Sequence, residues 1–335
     1  KPVSCTCSKL SDQVGVFVWW WNGEEKERIA FLSKAAIIEA HDKPSARGAL
    51  ICAALVASGL FEERDDDQSL DVIFRAKLGA DTVGLEIETE SLLPHGSGLG
   101  TSSILAGCVL ASVWNVMGLK YDESSLLHGV LYVEQLLTTG GGWQDQVGGL
   151  TAGLKIGRFG SSPDTAHISV ERFVVPDEQI AALNARLALV YTGRTRLAKN
   201  LLQEVVRSWF GRQSHVVETV AALVSNAEMC ASAIKKCDWL SMGLCARRYW
   251  EQKKLMAAGC EPEEVALLIL NLYERSVADA AWLAGAGGGG FLYVLLQEGK
   301  TIQDLTKTIG NVQGCESMTV HSVEIDQEPL TVDIS

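Results

Sequence analysis

The chain has too few positive charges to balance its negative ones: 29 Lys and Arg stand against 41 Asp and Glu, for a net charge of -12. A protein of that sign has no electrostatic footprint for nucleic acid or an anionic membrane, so a phosphate ligand would have to be met by local groups. Paired cysteine motifs are also missing. The nine cysteines, Cys5, Cys7, Cys52, Cys108, Cys230, Cys237, Cys245, Cys260 and Cys315, contain no CxxC, and several fall in apolar helical patterns. They read as small hydrophobes in a reducing, cytoplasmic compartment. Cys5 and Cys7 are spaced as a metal pair would be, but the alternation Cys-Thr-Cys fits a β-strand better, and no zinc is expected. GxxxxGK[ST], GxGxxG after a strand, HExxH, GxSxG and zinc-finger spacings are all absent, which sets aside the usual P-loop, Rossmann, protease, esterase and finger mechanisms. The longest uncharged stretch, Ser91 to Leu119, begins as a loop, leaving only Ser103 to Gly118 for a helix, too short and too punctuated to span a bilayer. No secretory leader is recognisable, and a first residue of Lys rather than Met points to a fragment of a longer chain.

What is there suffices for a globular protein. At 335 residues, 47% of them apolar, the chain can form one large domain or two ordinary ones. Residues 1–46 combine an alternating segment from Val3 to Leu10, a Trp19-Trp20-Trp21 run and a helix-compatible piece from Glu24 to Glu39. Arg47 to Phe61 reads as a buried helix, and Leu70 to Ala76 and Val83 to Thr89 alternate as half-buried strands do. After Gly153 the pattern changes: a strand from Leu187 to Tyr191 precedes helices near Arg196–Phe210, Ser214–Lys236, Trp239–Met256 and Glu263–Arg275. The expected architecture is therefore α/β, with a second, helix-rich lobe.

The most informative segment is Leu93 to Gly107, LPHGSGLGTSSILAG, a glycine- and hydroxyl-rich turn that opens into an apolar helix. Gly96, Gly98 and Gly100 allow positive φ and close approach of a ligand, so that successive amides point into one concavity. Thr101 and Ser102 stand where the helix begins, and there the unpaired N–H groups and the helix dipole favour an anion. The plain alternative is a tight turn with a serine cap. Asp122 is expected to cap a helix running to about Thr138. If Leu127, Val130 and Leu131 form its apolar face, Glu134 continues that face as a costly buried carboxylate; if Leu126, Val130, Val133 and Leu137 form it, Glu134 stands at the edge in water. Periodicity divides evenly between the two. Asp145 follows, between glycine pairs in TGGGWQDQVGG, either as a general base beside a substrate hydroxyl or as a turn cap. Late in the chain, Gly285 to Gly290 lies between apolar, strand-like flanks. That suits a glycine loop packed against a site better than a linker, whose flanks are polar.

Loop, acid and glycine run in this order resemble the GHMP kinases. Pro94 to Ser103 is similar to the family's phosphate loop, P-x-x-x-G-L-G-S-S, with Thr101 in place of the first serine, and Gly285 to Gly290 to its late glycine motif. Within the family the blocks SLLPHGSGLGTSSILAG, EQLLTTGGGWQDQVGG, VYTGRTRLAKNLL, YWEQKKLMAAGCEP and LAGAGGGGFLY resemble animal fucose kinases. The resemblance implies two α/β lobes: an N-terminal one related to ribosomal protein S5 domain 2 over residues 1–153, and a ferredoxin-like one over 154–335. It implies ATP held at its phosphates by Gly96, Ser97, Gly98, Leu99, Gly100, Thr101, Ser102 and Ser103, with Gly287 and Gly288 in support. It implies Mg2+ on Ser102 and Glu134, and Asp145 as the catalytic acid, which stands eleven residues after that glutamate as in the family. The implied reaction moves the γ-phosphoryl of ATP to the anomeric hydroxyl of L-fucose, with no nucleic acid or membrane partner. Gly142, Trp143, Tyr191 and Arg194 are candidates for the sugar pocket, a strand-end turn being the plain alternative for the last two. Another sugar kinase of the family, such as a heptose phosphate kinase, and a non-catalytic sugar or nucleotide binder are the competing readings. The family's first signature, a strand with a basic residue that partners the acid, is not found in residues 1–46, and a start beyond it is the expected reason. Nothing in the sequence fixes the oligomeric state.

Overall fold

The computed structural model describes residues 2–21, 26–62, 65, 68–94, 96–138, 141–162, 165–194 and 198–334. The first half builds a mixed sheet from β1 (Val3–Leu10), β2 (Gly15–Trp21), β3 (Lys26–Phe31) and, after helices α1 (Lys34–Ala40), α2 (Ala49–Ala57) and α3 (Leu70–Leu78), β4 (Gly84–Ser91). The strand order is β1-β4-β2-β3, with β4 antiparallel to β1 and parallel to β2. Alternation decides which side faces inward. Cys5, Cys7, Val16, Val18, Trp20, Leu85 and Ile87 pack on the helices, and Glu86 and Glu88 are on the opposite face. The two N-terminal cysteines are thus strand residues against a core, and burial pushes the Cys7 thiol up to about 12.

Beneath the sheet lie α2, α4 (Thr101–Val116), α5 (Glu123–Leu136) and α6 (Gln144–Leu150). α2 is buried through Ala49, Ile51, Cys52, Ala53, Ala54 and Leu55, because it is apolar on every side. Asp122 caps α5 as expected, its carboxylate accepting from the Ser125 amide at 2.8 Å.

Two local expectations are overturned. Leu70 to Ala76, read as a strand, is the first part of α3, where Leu70, Ile73, Phe74 and Leu78 are buried and Val72 is exposed. The i, i+3, i+4, i+8 spacing of the large apolar residues outranks a short accidental alternation. Glu24 to Glu39, read as helix-compatible, is instead β3 followed by α1, with Glu24 and Glu25 outside the described residues. Pairing Val16–Trp21 with Lys26–Phe31 satisfies a whole backbone edge that an isolated helix would leave to water. The Trp run therefore belongs to β2, where the Trp19 indole donates to Glu86 at 2.8 Å.

The second half starts with the hairpin β5 (Lys155–Ser162) and β6 (Thr165–Arg172), then α7 (Asp177–Asn184) and β7 (Leu187–Tyr191). Helices α8 (Ala198–Phe210), α9 (Ser214–Lys235), α10 (Trp239–Met256) and α11 (Glu263–Glu274) follow, close to the expected bounds except that Arg196 lies outside the described residues. β8 (Ala278–Leu283), β9 (Phe291–Leu296), α12 (Ile302–Ile309) and β10 (Thr319–Ser322) complete an antiparallel sheet of order β10-β7-β9-β8. Its core contains Ala188, Val190, Trp250, Leu268, Leu283, Leu292 and Val294. The C-terminal segment returns to the first half: the Leu330 amide donates to Leu150 O at 3.1 Å, and Leu330 and Val332 pack on the first core. No helix among the described residues is long and apolar enough to cross a membrane.

Candidate active site

The seam between the halves is made of glycine on both sides. Gly96, Gly98 and Gly100 have φ of +70°, +77° and +69°, the left-handed turn geometry that L side chains resist. Gly100 also caps α4 and offers no side-chain oxygen to the first-turn amides, which by helix geometry lack intrahelical partners. Ser97 is buried, its hydroxyl 3.2 Å from that of Thr101, and the Leu99 amide donates to it at 3.3 Å. The Ser97 carbonyl accepts the Phe291 amide at 2.9 Å, so the loop is stitched onto the start of β9. On the facing side, a Cβ at Gly290 would be 2.4 Å from Ser97 O and one at Gly285 2.9 Å from Gly98 O. The late glycine run is therefore a packed turn against the early loop and not a linker.

The two acids come to the same place by different routes. α5 brings Glu134 inward, 5% exposed, where the Ser103 hydroxyl donates to Oε1 at 2.8 Å and the Ser102 hydroxyl at 3.4 Å. Both proposed stripes of α5 contribute, since Leu126, Leu127, Val130 and Val133 are all buried together with Glu134. Asp145 sits in the first turn of α6, so close to the loop that a Cβ on Gly100 would be 2.8 Å from its own Cβ. One face of Asp145 stays exposed, but partial burial holds its carboxyl above the ordinary value, the nearby Glu134 charge raises it further, and Lys253 opposes both. The Tyr293 hydroxyl is raised by burial and by the Asp145 charge, which puts this β9 residue in the same surroundings.

Sequence reasoning missed Lys253 and Tyr293. Lys253 belongs to the YWEQKKLMAAGCEP block but is one of two adjacent lysines on a helix, and spacing alone does not say which one faces a site.

The candidate sugar residues do not gather as one group. Trp143 stacks on Phe159 at 6.1 Å between centroids and fills space over Gly157, where a Cβ would be 2.7 Å from its ring. It packs with Leu127, Val147 and Ile168, while Gly142 is exposed at the start of that turn. Tyr191 packs against Phe291 with ring centroids 5.0 Å apart and planes tilted by 42°, in a cluster with Leu99 and Ala284. The Arg194 guanidinium is paired with Glu264 at 2.6 Å, and its carbonyl accepts the Gly290 amide at 2.8 Å. Gly288 donates to Cys260 O at 2.6 Å and Gly287 lies against the same carbonyl. An open concavity of about 680 Å3 lies beyond the glycine run, between Arg194, Gly288 and the acidic start of α11. It does not include Asp145 or Glu134, and the chemistry is assigned by the converging residues rather than by the size of that hollow.

Among the described residues no three His, Cys, Asp or Glu side chains converge as a metal cage. One buried carboxylate with two hydroxyls does fit a hard cation that keeps waters and phosphate oxygens as its remaining ligands, which is how Mg2+ is ordinarily held. Ser103 makes the shorter contact with Glu134, so the hydroxyl pair rather than Ser102 alone defines that corner.

Known proteins resemble this chain in sequence and in fold. Residues 68–153 match the GHMP kinases N terminal domain. The L-fucokinase/L-fucose-1-P guanylyltransferase of Bacteroides fragilis is 36% identical over 219 residues, 64% of this chain and 22% of that protein. The bifunctional fucokinase/GDP-fucose pyrophosphorylase of Arabidopsis thaliana is 32% identical over 230 residues, 68% of this chain and 21% of that protein. The chain thus spans about a fifth of the length of these curated relatives. Among solved structures, a Lactococcus lactis galactokinase complexed with galactose superposes with a TM-score of 0.65 at 12% identity, covering 97% of this chain and 86% of that one. Residues 68–153 are accordingly a GHMP kinase N-terminal domain, in a chain whose fold is that of the GHMP kinases.

Proposed function

We propose that this chain is an ATP-dependent sugar kinase that transfers the γ-phosphoryl of ATP to the anomeric hydroxyl of L-fucose, releasing fucose 1-phosphate and ADP. The observation that carries the reading is the convergence of loop and acids at the start of α4, with Gly100 against Asp145 and Glu134 against Ser102 and Ser103. Both curated relatives carry fucokinase in their names, which supports a fucose acceptor. Residues 1–153 would act as the ATP-binding lobe and 154–335 as the second lobe, in a reducing, cytoplasmic setting that suits nine free cysteines.

In this reading the backbone amides from Gly96 to Ser103 bind the nucleotide phosphates, with the α4 dipole behind them. Gly287 and Gly288 support them as part of the turn on which the loop rests. Glu134, Ser102 and Ser103 would hold Mg2+, which when bound neutralises phosphate charge. Asp145 orients the sugar hydroxyl and receives its proton. Its raised carboxyl makes it a stronger base than an ordinary aspartate, and an anomeric hydroxyl is more acidic than other sugar alcohols. Phosphoryl transfer needs mainly positioning and charge neutralisation, and a glycine seam fixed by backbone hydrogen bonds provides the positioning.

The test is ADP release and product identification by phosphorus NMR across a panel of sugars. L-fucose is expected to give an anomeric phosphate, and Asp145→Asn is expected to abolish turnover while nucleotide binding persists. Phosphorylation of a heptose phosphate in preference to fucose would move the assignment to another sugar. Nucleotide binding with no transfer to any sugar would identify a non-catalytic binder.

A further inference from the structure

The site described so far is assembled from amides, hydroxyls and two carboxylates, in a chain of net charge -12. Phosphate groups brought against Glu134 and Asp145 meet the repulsion of like charges within a few ångströms, which a nearby cationic side chain would relieve. Among the described residues, Lys253 is the cation whose charge lowers the Asp145 carboxyl against the two influences that raise it. It reaches the site from α10, and its ammonium donates to the carbonyl of Gly285 and, at 3.1 Å, to the Tyr249 hydroxyl. Gly285 is the glycine-turn residue that abuts Gly98 of the phosphate loop, so the charge is anchored at the seam between the two. An ammonium has three donors, and these contacts use two.

Local structure explains why this lysine and not its neighbour is in place. Lys254 is bound on the other side of the helix by Glu251 at 2.8 Å and Glu261 at 3.4 Å. α10 is fixed by buried Trp250, whose indole donates to Glu261 at 2.5 Å, and by Arg247, whose guanidinium lies 3.8 Å from the centroid of the Tyr273 ring. Lys253 follows Tyr249 by one helical turn, and the helix cannot swing without breaking those contacts.

We propose that Lys253 is a further phosphoryl-transfer residue of this site, its ammonium held on the glycine turn beside the phosphate loop to draw the migrating phosphoryl group. The proposal rests on the kinase reading above. Lys253→Met is expected to lower kcat on the order of 100-fold, the scale of losing one charge-stabilising donor, with the KM for ATP changed far less. Lys253→Arg should recover part of the loss, and Lys253→Ala should be rescued by millimolar methylamine, neither of which a purely structural role would produce. Wild-type kcat in Lys253→Met, or a loss that neither arginine nor amine relieves, overturns the proposal. Should the wild-type chain bind MgADP without turning over, the readout is its affinity for MgADP with aluminium fluoride, a mimic of the migrating phosphoryl. Lys253→Met is then expected to weaken that complex about tenfold with MgADP alone unaffected, and equal affinities overturn the proposal. Failure of the wild-type chain to bind MgADP at all overturns the kinase reading itself, and with it the role of Lys253.

Discussion

Replacing Gly290 with alanine should separate the strain of a left-handed residue from the consequence of pushing the phosphate loop. Gly290 has φ of +80°, and Gly299, between β9 and α12, has φ of +79°. Alanine in either place bears the same backbone cost, about 1–2 kcal/mol. The surroundings differ. A Cβ at Gly299 meets nothing within 4 Å, whereas one at Gly290 would be 2.4 Å from Ser97 O, a distance that backbone can relieve only by moving. That movement sacrifices the bond from the Phe291 amide to Ser97 O, now 2.9 Å, for about another 1 kcal/mol. Urea unfolding is expected to show Gly299→Ala losing about 1–2 kcal/mol and Gly290→Ala about 2–3 kcal/mol. Isothermal titration with MgADP should show weakened binding in Gly290→Ala alone. Equal stabilities in the two variants together with unimpaired MgADP binding by Gly290→Ala would refute the claim that the glycine turn supports the loop.

Three further outcomes are expected. Ser103→Ala removes the shorter donor to buried Glu134 and should cost about 1–3 kcal/mol in chemical unfolding, with part of the loss recovered by Mg2+. Asp145→Asn should be more stable than wild type at neutral pH, because a carboxyl held above its ordinary value of 3.8 makes the folded state lose stability as pH rises through and beyond that value. The difference should vanish below the ordinary value, where both states bind the proton, and a pH series of urea midpoints checks the sign. In α3, Ile73→Ala is expected to cost about 2–5 kcal/mol and exposed Val72→Thr almost nothing, and unfolding curves of the pair test the helix against the strand suggested by alternation.

Long, strongly patterned pieces were legible. β1 follows from a period of two and the four helices of the second half from a period of 3.6, β7 and the buried helix α2 were legible as uninterrupted apolar runs, and Asp122 capped its helix as its position implied. Short segments were not. Leu70 to Ala76 alternates over seven residues by coincidence, and only the reach to Leu78 reveals a helix face. Glu24 to Glu39 has helix-compatible composition, but its first part is claimed by pairing with β2, a contact between segments that no local pattern records. In the candidate site, the loop and the late glycine run stood out by residue type, whereas Glu134 and Asp145 were singled out beside plain alternatives that only the resemblance to the GHMP kinases outweighed. Lys253 and Tyr293 were not, because helix and strand positions carry no mark of the element they will face.

The sequence by itself determined a tight, left-handed turn running into a hydroxyl-bearing helix start at Gly96 to Ser103, since glycines there admit the positive φ that the turn adopts. It also determined that an acid would lie between glycines at Asp145. Whether Glu134 would be buried or wet was undecidable from periodicity and was decided by packing: α4 lies beside α5 and presents Ser103 to the carboxylate at 2.8 Å. Only the tertiary structure brought Gly290 onto Ser97, Gly100 onto Asp145 and Lys253 onto the seam. Those contacts join residues far apart in the chain, and their energies come from close approach in space, which a linear order of side chains does not encode.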